Sequence, residues 1–212
     1  MHTRFPKIIV IEGSDCVGKE TQSSMLVKTL ERTFEQKVAT FSLPNYSSAT
    51  GRAIRKLLQN GYAEKFQTAF QLLQFLDKLN FQRTLSRLDC DFVVLDRWSL
   101  SSLIYGLATK VNPTVCAQLF AWLKQPDLTI VLDGAGFKRN SLDSYEKNKE
   151  LQDAVKSAYK FWASSRENDN SVALINADQS EFLVHSEILT AVMDRFQYLN
   201  PIENFSETDD EI

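Results

Sequence analysis

The chain has 212 residues, enough for one α/β domain with a substantial core, with two small domains as the second expectation. Its 43% hydrophobic and 24% charged residues exclude a disordered or fibrous chain. A net charge of −3 excludes the broad positive field of a duplex-binding protein but leaves room for a small basic pocket around a phosphorylated ligand, so no nucleic-acid partner is expected.

Cys16, Cys90 and Cys116 are odd in number and not closely paired, which argues against a disulfide framework and a zinc site and fits a reducing compartment. The apolar run at residues 8–11 is too short for a signal or a membrane span, and a cytoplasmic protein without membrane contact is expected.

In chain order, short apolar, β-branched runs at residues 7–11, 38–43, 92–95, 128–132 and 172–175 alternate with segments of helical spacing. These runs do not alternate in polarity, so they suit strands covered on both faces, and the β-α-β-α order points to a doubly wound parallel sheet. Ligands of such a sheet sit beyond the carboxyl ends of its strands. The first strand leads into Gly13-Ser14-Asp15-Cys16-Val17-Gly18-Lys19-Glu20-Thr21, a Gly-x-x-x-x-Gly-Lys sequence followed by Val27, Leu30 and Phe34 at helical intervals. Glycines let backbone N–H groups close around a phosphate chain, Lys19 adds charge, and the helix N-terminus adds its dipole. The position after the lysine, where a Ser or Thr hydroxyl normally reaches Mg2+, is Glu20. Either Thr21 or a water completes the metal shell, or Glu20 is itself a hard oxygen ligand.

Phe66, Phe70, Leu73 and Leu76 follow a helical spacing that fits core, ligand wall or interface equally. The third run ends in Asp96-Arg97, an acid able to hold Mg2+ directly or through water beside a base suited to bidentate phosphate binding, with a surface ion pair as the plainer alternative. Asp133-Gly134-Ala135-Gly136 after the fourth run reads as a turn, because no guanine-reading sequence follows. Ala154, Val155, Ala158, Tyr159 and Trp162 mark a further helix. His185 falls in the last helical pattern, where a structural role is expected. Residues 201–212, with five acids and no base, read as a solvated tail, leaving 1–200 as one domain.

Together these residues resemble the thymidylate kinases. The resemblance runs over Glu12-Gly13-Ser14-Asp15, Leu43-Pro44-Asn45-Tyr46, Asp77-Lys78, Asp96-Arg97-Trp98 with Ser101, Ser102 and Tyr105, Pro126-Asp127, and Lys138-Arg139 in a segment, about residues 137–150, similar to the family's lid. It implies a P-loop NTPase-like fold with a five-stranded parallel sheet flanked by helices on both faces. The implied activity is transfer of the ATP γ-phosphoryl group to dTMP with Mg2+, in a homodimer. The residues Gly13 to Thr21 would hold the ATP phosphates, and Asn176 and Asp178 would lie beside the adenine. Asp15 would face the acceptor's sugar and a metal, with Thr21 and Asp96 as further metal candidates. Lys78 and Arg97 would grip the acceptor phosphate, Pro44, Ser101 and Ser102 would line its site, Tyr105 would press on the deoxyribose, and Arg139 would close over the transferring group. Catalysis would rest on Asp15, Lys19, Arg97 and Arg139, which bring mutually repelling phosphates into line and spread their charge.

Several positions depart from the family pattern. Lys78 stands where an arginine is usual, Leu43 and Trp98 replace aromatics that are commoner there, and Gly106 replaces a commonly polar residue near the base. Cys16 replaces a catalytic arginine of some members, which would pass that task to the lid. The aromatic that stacks on thymine is replaced by Gln74, so either the helix presents Phe75 instead or stacking is relaxed. The alternative functions are a P-loop kinase for another deoxynucleotide or a nucleoside, and a catalytically silent nucleotide-binding protein.

Overall fold

A computed structural model describes residues 5–136 and 144–199. Arg139 with the first half of the lid, residues 137–143, and the tail at 201–212 lie outside the described residues. The strands are β1 (Lys7–Gly13), β2 (Val38–Ser42), β3 (Phe92–Asp96), β4 (Leu128–Asp133) and β5 (Val172–Asn176), all parallel, in the order β2-β3-β1-β4-β5. The helices among the described residues are α1 (Lys19–Arg32), α2 (Ala49–Gln59), α3 (Tyr62–Lys65), α4 (Gln67–Leu85), α5 (Ser99–Ala108), α6 (Pro113–Trp122), α7 (Ser144–Lys147), α8 (Lys149–Ser164) and α9 (Glu181–Arg195). None of them is long and apolar enough to cross a membrane.

Residues along β1 pass alternately to the two faces of the sheet, as a period of two requires. Ile9 and Ile11 join a cluster with Leu26 and Leu30 of α1 and Ile188 of α9. Ile8 and Val10 join another with Phe75, Phe81 and Trp98. The expected five strands are present, and the expectation of full cover holds for the central β3, β1 and β4. It fails for β2 and β5, which are only partly buried because they are the sheet edges. Of the stripe on α4, Phe70 is core with Leu73 against it, whereas Phe66 and Leu76 are exposed. Cys116 is buried, whereas Cys90 is only half-buried, at the margin of a core cluster. His185 is buried against Thr29 of α1, 3.0 Å from its hydroxyl, which agrees with a structural role.

Short polar side chains set where the helices begin. Ser48, Asn112, Asn148 and Ser180 each accept a hydrogen bond from a first-turn N–H, capping α2, α6, α8 and α9. β1 lies between β3 and β4, with Ile11 opposite Asp96 and Gly13 opposite Leu132. The loops that leave β1 and β3 therefore emerge side by side at the carboxyl edge of the sheet.

Candidate active site

The loop from β1 into α1 closes on itself. Gly13 has φ 145°, and a Cβ there would lie 2.7 Å from the Leu132 carbonyl oxygen, so only glycine fits between the strands. Gly18 leads into the helix in the left-handed conformation, leaving the first N–H groups of α1 aimed into the loop. The Lys19 ammonium donates to the Ser14 carbonyl at 2.6 Å. Burial, reinforced by Arg97, lowers its pKa to about 8, against the opposing pull of Asp96, Asp15 and Glu12.

Arg97 follows β3 with φ 69°, an uncommon conformation for a residue with a side chain. Its N–H donates to the Ile11 carbonyl at 3.0 Å. Its guanidinium pairs with Asp15 and donates to the Gly13 carbonyl at 3.1 Å. Asp15 also accepts from the Tyr105 hydroxyl at 2.8 Å and from Gln152 Nε2 at 2.7 Å. Burial alone would raise the Asp15 pKa, but Arg97, Lys19 and these hydrogen bonds hold it below the usual carboxylate value. The Tyr105 hydroxyl is pushed up, by burial first of all, and stays protonated.

Beneath this pair lies Glu12, fully buried after the apolar run Ile8 to Ile11 of β1. Its carboxylate accepts from the Trp98 N–H at 2.8 Å, the Ser101 N–H at 3.2 Å, the Ser101 hydroxyl at 2.5 Å and the Tyr159 hydroxyl at 2.9 Å. A strand carboxylate thus does the work of an N-cap for α5, which no side chain of its own preceding residue does. Asp77 plays the corresponding part for the loop after β2, accepting from the Asn45 N–H at 3.0 Å, the Ser48 hydroxyl at 2.8 Å and the Thr50 hydroxyl.

The cleft in front of the loop is lined by Asp15 through Thr21, Ser42, Leu43, Pro44, Tyr46, Arg55, Asp96, Arg97 and Glu146. Asp15, Leu43, Pro44, Tyr46 and Arg97 also border an interior cavity that continues to Leu58, Gln71, Gln74, Lys78, Ser101, Ser102, Tyr105 and Tyr145. The two spaces meet at Arg97. A separate recess formed by Val17, Gly136, Ala177, Asp178 and Gln179 adjoins the loop on its other side.

Of the sequence-predicted residues, Gly18, Lys19, Glu20, Thr21, Asp96 and Arg97 line the one cleft. Several others differ. Phe75 does not face the cavity: it packs into the core with Trp98 and Leu95, and α4 instead turns Gln71, Gln74 and Lys78 inward, at spacings of three and four. Lys78 lines the interior cavity that Arg97 also borders, and in the cleft beside Lys19 a further cation is Arg55, 4.3 Å above the Tyr46 ring. Burial lowers the Lys78 pKa to about 8, opposed by Glu12 and Asp77, and its ammonium donates to Gln74 Oε1 at 3.3 Å. Gly106 is not a wall residue either, since a Cβ there would meet Cys116 Sγ at 2.6 Å. Asn176 ends β5, and its side-chain oxygen accepts the Asp178 N–H at 3.0 Å; of the two, Asp178 borders the recess, where it accepts from the Ala135 N–H at 2.6 Å.

Sequence reading missed Glu12 as an anchor, and it missed Gln71, Gln152, Asp77 and Arg55. A lone acid inside an apolar strand was a usable signal for Glu12, and the spacing 71, 74, 78 for the polar face of α4.

Comparison with known proteins follows the same lines. A family model for thymidylate kinase matches residues 11–188. A probable thymidylate kinase of Methanococcus aeolicus is 30% identical over 199 residues, which cover 89% of this chain and 97% of that one. The thymidylate kinase of Schizosaccharomyces pombe is 27% identical over 196 residues, 88% and 91% of the two chains. The solved thymidylate kinase of Candida albicans superposes with a TM-score of 0.74 at 20% identity, over 94% of this chain and 96% of its own. That of Ehrlichia chaffeensis gives 0.66 at 18%, over 90% and 99%. At these identities the structural likeness speaks to the fold.

Proposed function

This chain belongs to the thymidylate kinase family, and we propose that it transfers the γ-phosphoryl group of ATP, with Mg2+, to the 5′-phosphate of dTMP, giving dTDP and ADP. The observation that carries this reading is the meeting of two spaces at Arg97: a wide cleft that holds Lys19 and the loop after β1, and a half-polar cavity that continues from it to Gln71, Ser102 and Tyr105.

The donor's phosphates lie against residues 13–21, where backbone N–H groups and Lys19 face them. The acceptor's phosphate lies at the junction, within reach of Arg97, and its sugar lies against Tyr105. Arg97 and Lys19 approach the two repelling phosphates from different elements and hold them in line, so no protein nucleophile is required. The transfer breaks the bond between the γ-phosphorus and the β–γ bridging oxygen and forms one to an acceptor phosphate oxygen. Asp15 keeps Arg97 in place and, through Tyr105 and Gln152, ties it to α5 and α8.

Asp96 and Thr21 fit a hard cation. Asp96 Oδ1 is buried without a hydrogen-bond partner, and both residues border the cleft. One or two protein oxygens completed by substrate phosphates is the usual Mg2+ arrangement, and the bound ion would neutralise charge on the phosphate oxygens. The reading includes a cytoplasmic homodimer, which the half-exposed Leu72 and Leu76 of α4 support. Light scattering of the purified chain tests the pairing.

Coupled ADP release with dTMP, dUMP, dGMP and thymidine as acceptors tests the activity. Turnover with dTMP is expected. Strong turnover with thymidine alone makes this a nucleoside kinase instead.

A further inference from the structure

Glu12 is a buried carboxylate set among the cations that are to meet phosphate. Burial lowers the Lys78 pKa, and of the charges that oppose this Glu12 is the largest; Lys19 feels it as well. Arg97 Nη1 lies 3.5 Å from the Ser101 hydroxyl, which itself donates to Glu12. A buried carboxylate short of donors draws in the nearest ones, and the nearest cationic donors here belong to the site. Saturation prevents this. Glu12 Oε1 accepts the N–H groups of Trp98 and Ser101, and Oε2 accepts the hydroxyls of Ser101 and Tyr159.

Three of these four donors belong to Trp98 and Ser101, around the start of α5. The fourth comes from α8. Tyr159 is 1% exposed and borders neither the cleft nor the interior cavity, and its hydroxyl lies 2.9 Å from both Glu12 Oε2 and Ser101 Oγ. Seven residues earlier, two turns along the same face of α8, Gln152 holds Asp15, the carboxylate paired with Arg97. We infer that Tyr159 is a positioning residue for the transfer: by occupying Glu12 Oε2 it keeps Ser101 and Arg97 from turning toward Glu12, so that the guanidinium stays aimed at the acceptor's phosphate. The inference rests on Arg97 meeting that phosphate, as proposed above.

Removing the Tyr159 hydroxyl alone leaves the ring in the core and takes one donor from Oε2. A guanidinium offers five N–H donors and no acceptor, and in a water-poor interior its attraction to an under-supplied carboxylate is large. Arg97 would then have to be drawn off Glu12 before it could meet a phosphate. A ligand with the same base and sugar but no phosphate asks nothing of Arg97 in this respect, so dTMP and thymidine should respond differently. Loosened packing between α5 and α8 would weaken both alike.

The test measures the KM for dTMP and the inhibition constant of thymidine, both at saturating ATP. It compares the wild type, Tyr159→Phe, and Tyr159→Phe combined with Glu12→Gln. Tyr159→Phe is expected to raise the KM for dTMP by about tenfold and to leave the thymidine constant within about twofold of wild type. Adding Glu12→Gln removes the competing charge and is expected to bring the KM for dTMP back toward wild type, a non-additive result that marks direct coupling. An unmoved KM for dTMP in Tyr159→Phe, or an equal rise in both constants, overturns the assignment. A double variant with a KM above that of Tyr159→Phe overturns it as well. If the double variant does not fold by circular dichroism, the two ligands compared in Tyr159→Phe decide. A wild type active on dTMP with an unmoved Tyr159→Phe removes this inference alone, whereas a wild type inactive on every monophosphate removes the proposed function with it.

Discussion

Lys19 shows how a single side chain is prepared for an anion. It is 6% exposed, and its ammonium is turned onto its own loop at Ser14. Lys19→Ala should lower kcat/KM for dTMP by about a thousandfold, the scale of losing a principal charge stabiliser; steady-state kinetics within tenfold of wild type would refute the role. Lys19 and Lys78 both have pKa values lowered by burial to about 8 from an ordinary 10.5. Between those values the unfolded chain binds more protons than the folded one, so these two groups make stability rise with pH across that window. A bound phosphate anion favours protonated Lys19, so ATP binding at pH 8.5 should take up protons, and at pH 6.5 should take up almost none. Calorimetry in two buffers of different ionisation enthalpy measures this, and equal uptake at both pH values would contradict it. The loop chemistry was legible because consecutive residues make the cradle. Glu12, Gln71 and Gln152 were not, because their partners stand on other elements and only folding brings them together.

Among the elements, α5 depends most on a residue outside itself. Its first turn is held by Glu12 of β1, which accepts the N–H groups of Trp98 and Ser101 and reaches Tyr159 of α8 as well. Glu12→Gln keeps the shape but removes the charge and one acceptor position, and should cost about 2 kcal/mol of stability in urea unfolding, with a lower kcat because Arg97 and Tyr105 shift together. A neutral result would mean that α5 is held by packing alone. The α5–α6 contact gives a sharper test, since a Cβ at Gly106 would meet Cys116 Sγ at 2.6 Å while the Cys116 Cβ is 3.7 Å away. Gly106→Ala should destabilise by about 1–3 kcal/mol, and much less in a Cys116→Ala background. Equal cost in both backgrounds would show that the strain lies elsewhere. The sequence showed Gly106 only as a departure from the family pattern, and its reason is the approach of a helix whose position periodicity alone does not report. The strands were easier to read. Short, uninterrupted, β-branched apolar runs between helical segments suit a strand covered on both faces, and only the partial exposure of β2 and β5 required knowing which strands fall at the edges.

At the scale of the whole molecule, the order β2-β3-β1-β4-β5 places β1 between β3 and β4 and so brings residues 84 positions apart, Gly13 and Arg97, within 3.1 Å. Both nucleotides would then be held by loops from several strands and helices, and saturating them should stabilise the entire chain. At a hundred times its dissociation constant a ligand adds about 2.7 kcal/mol, and a shift in melting temperature of roughly 5–10 °C is expected for a chain of this size. Differential scanning fluorimetry with ATP and dTMP measures it, and no shift with either would show that the cleft does not bind them. Which face carries the cleft was legible from the alternation of strands and helices. How deep it runs was not, because that depends on α4 and α5 leaving a cavity between them. The unusual backbone of Arg97 has one further result. Its peptide is fastened to Ile11, and its guanidinium is already engaged by Asp15 and Gly13, so the dipoles facing the reaction are oriented during synthesis of the native state. In water, surrounding molecules would have to swing round as charge migrates; here that reorientation has been completed before any nucleotide arrives.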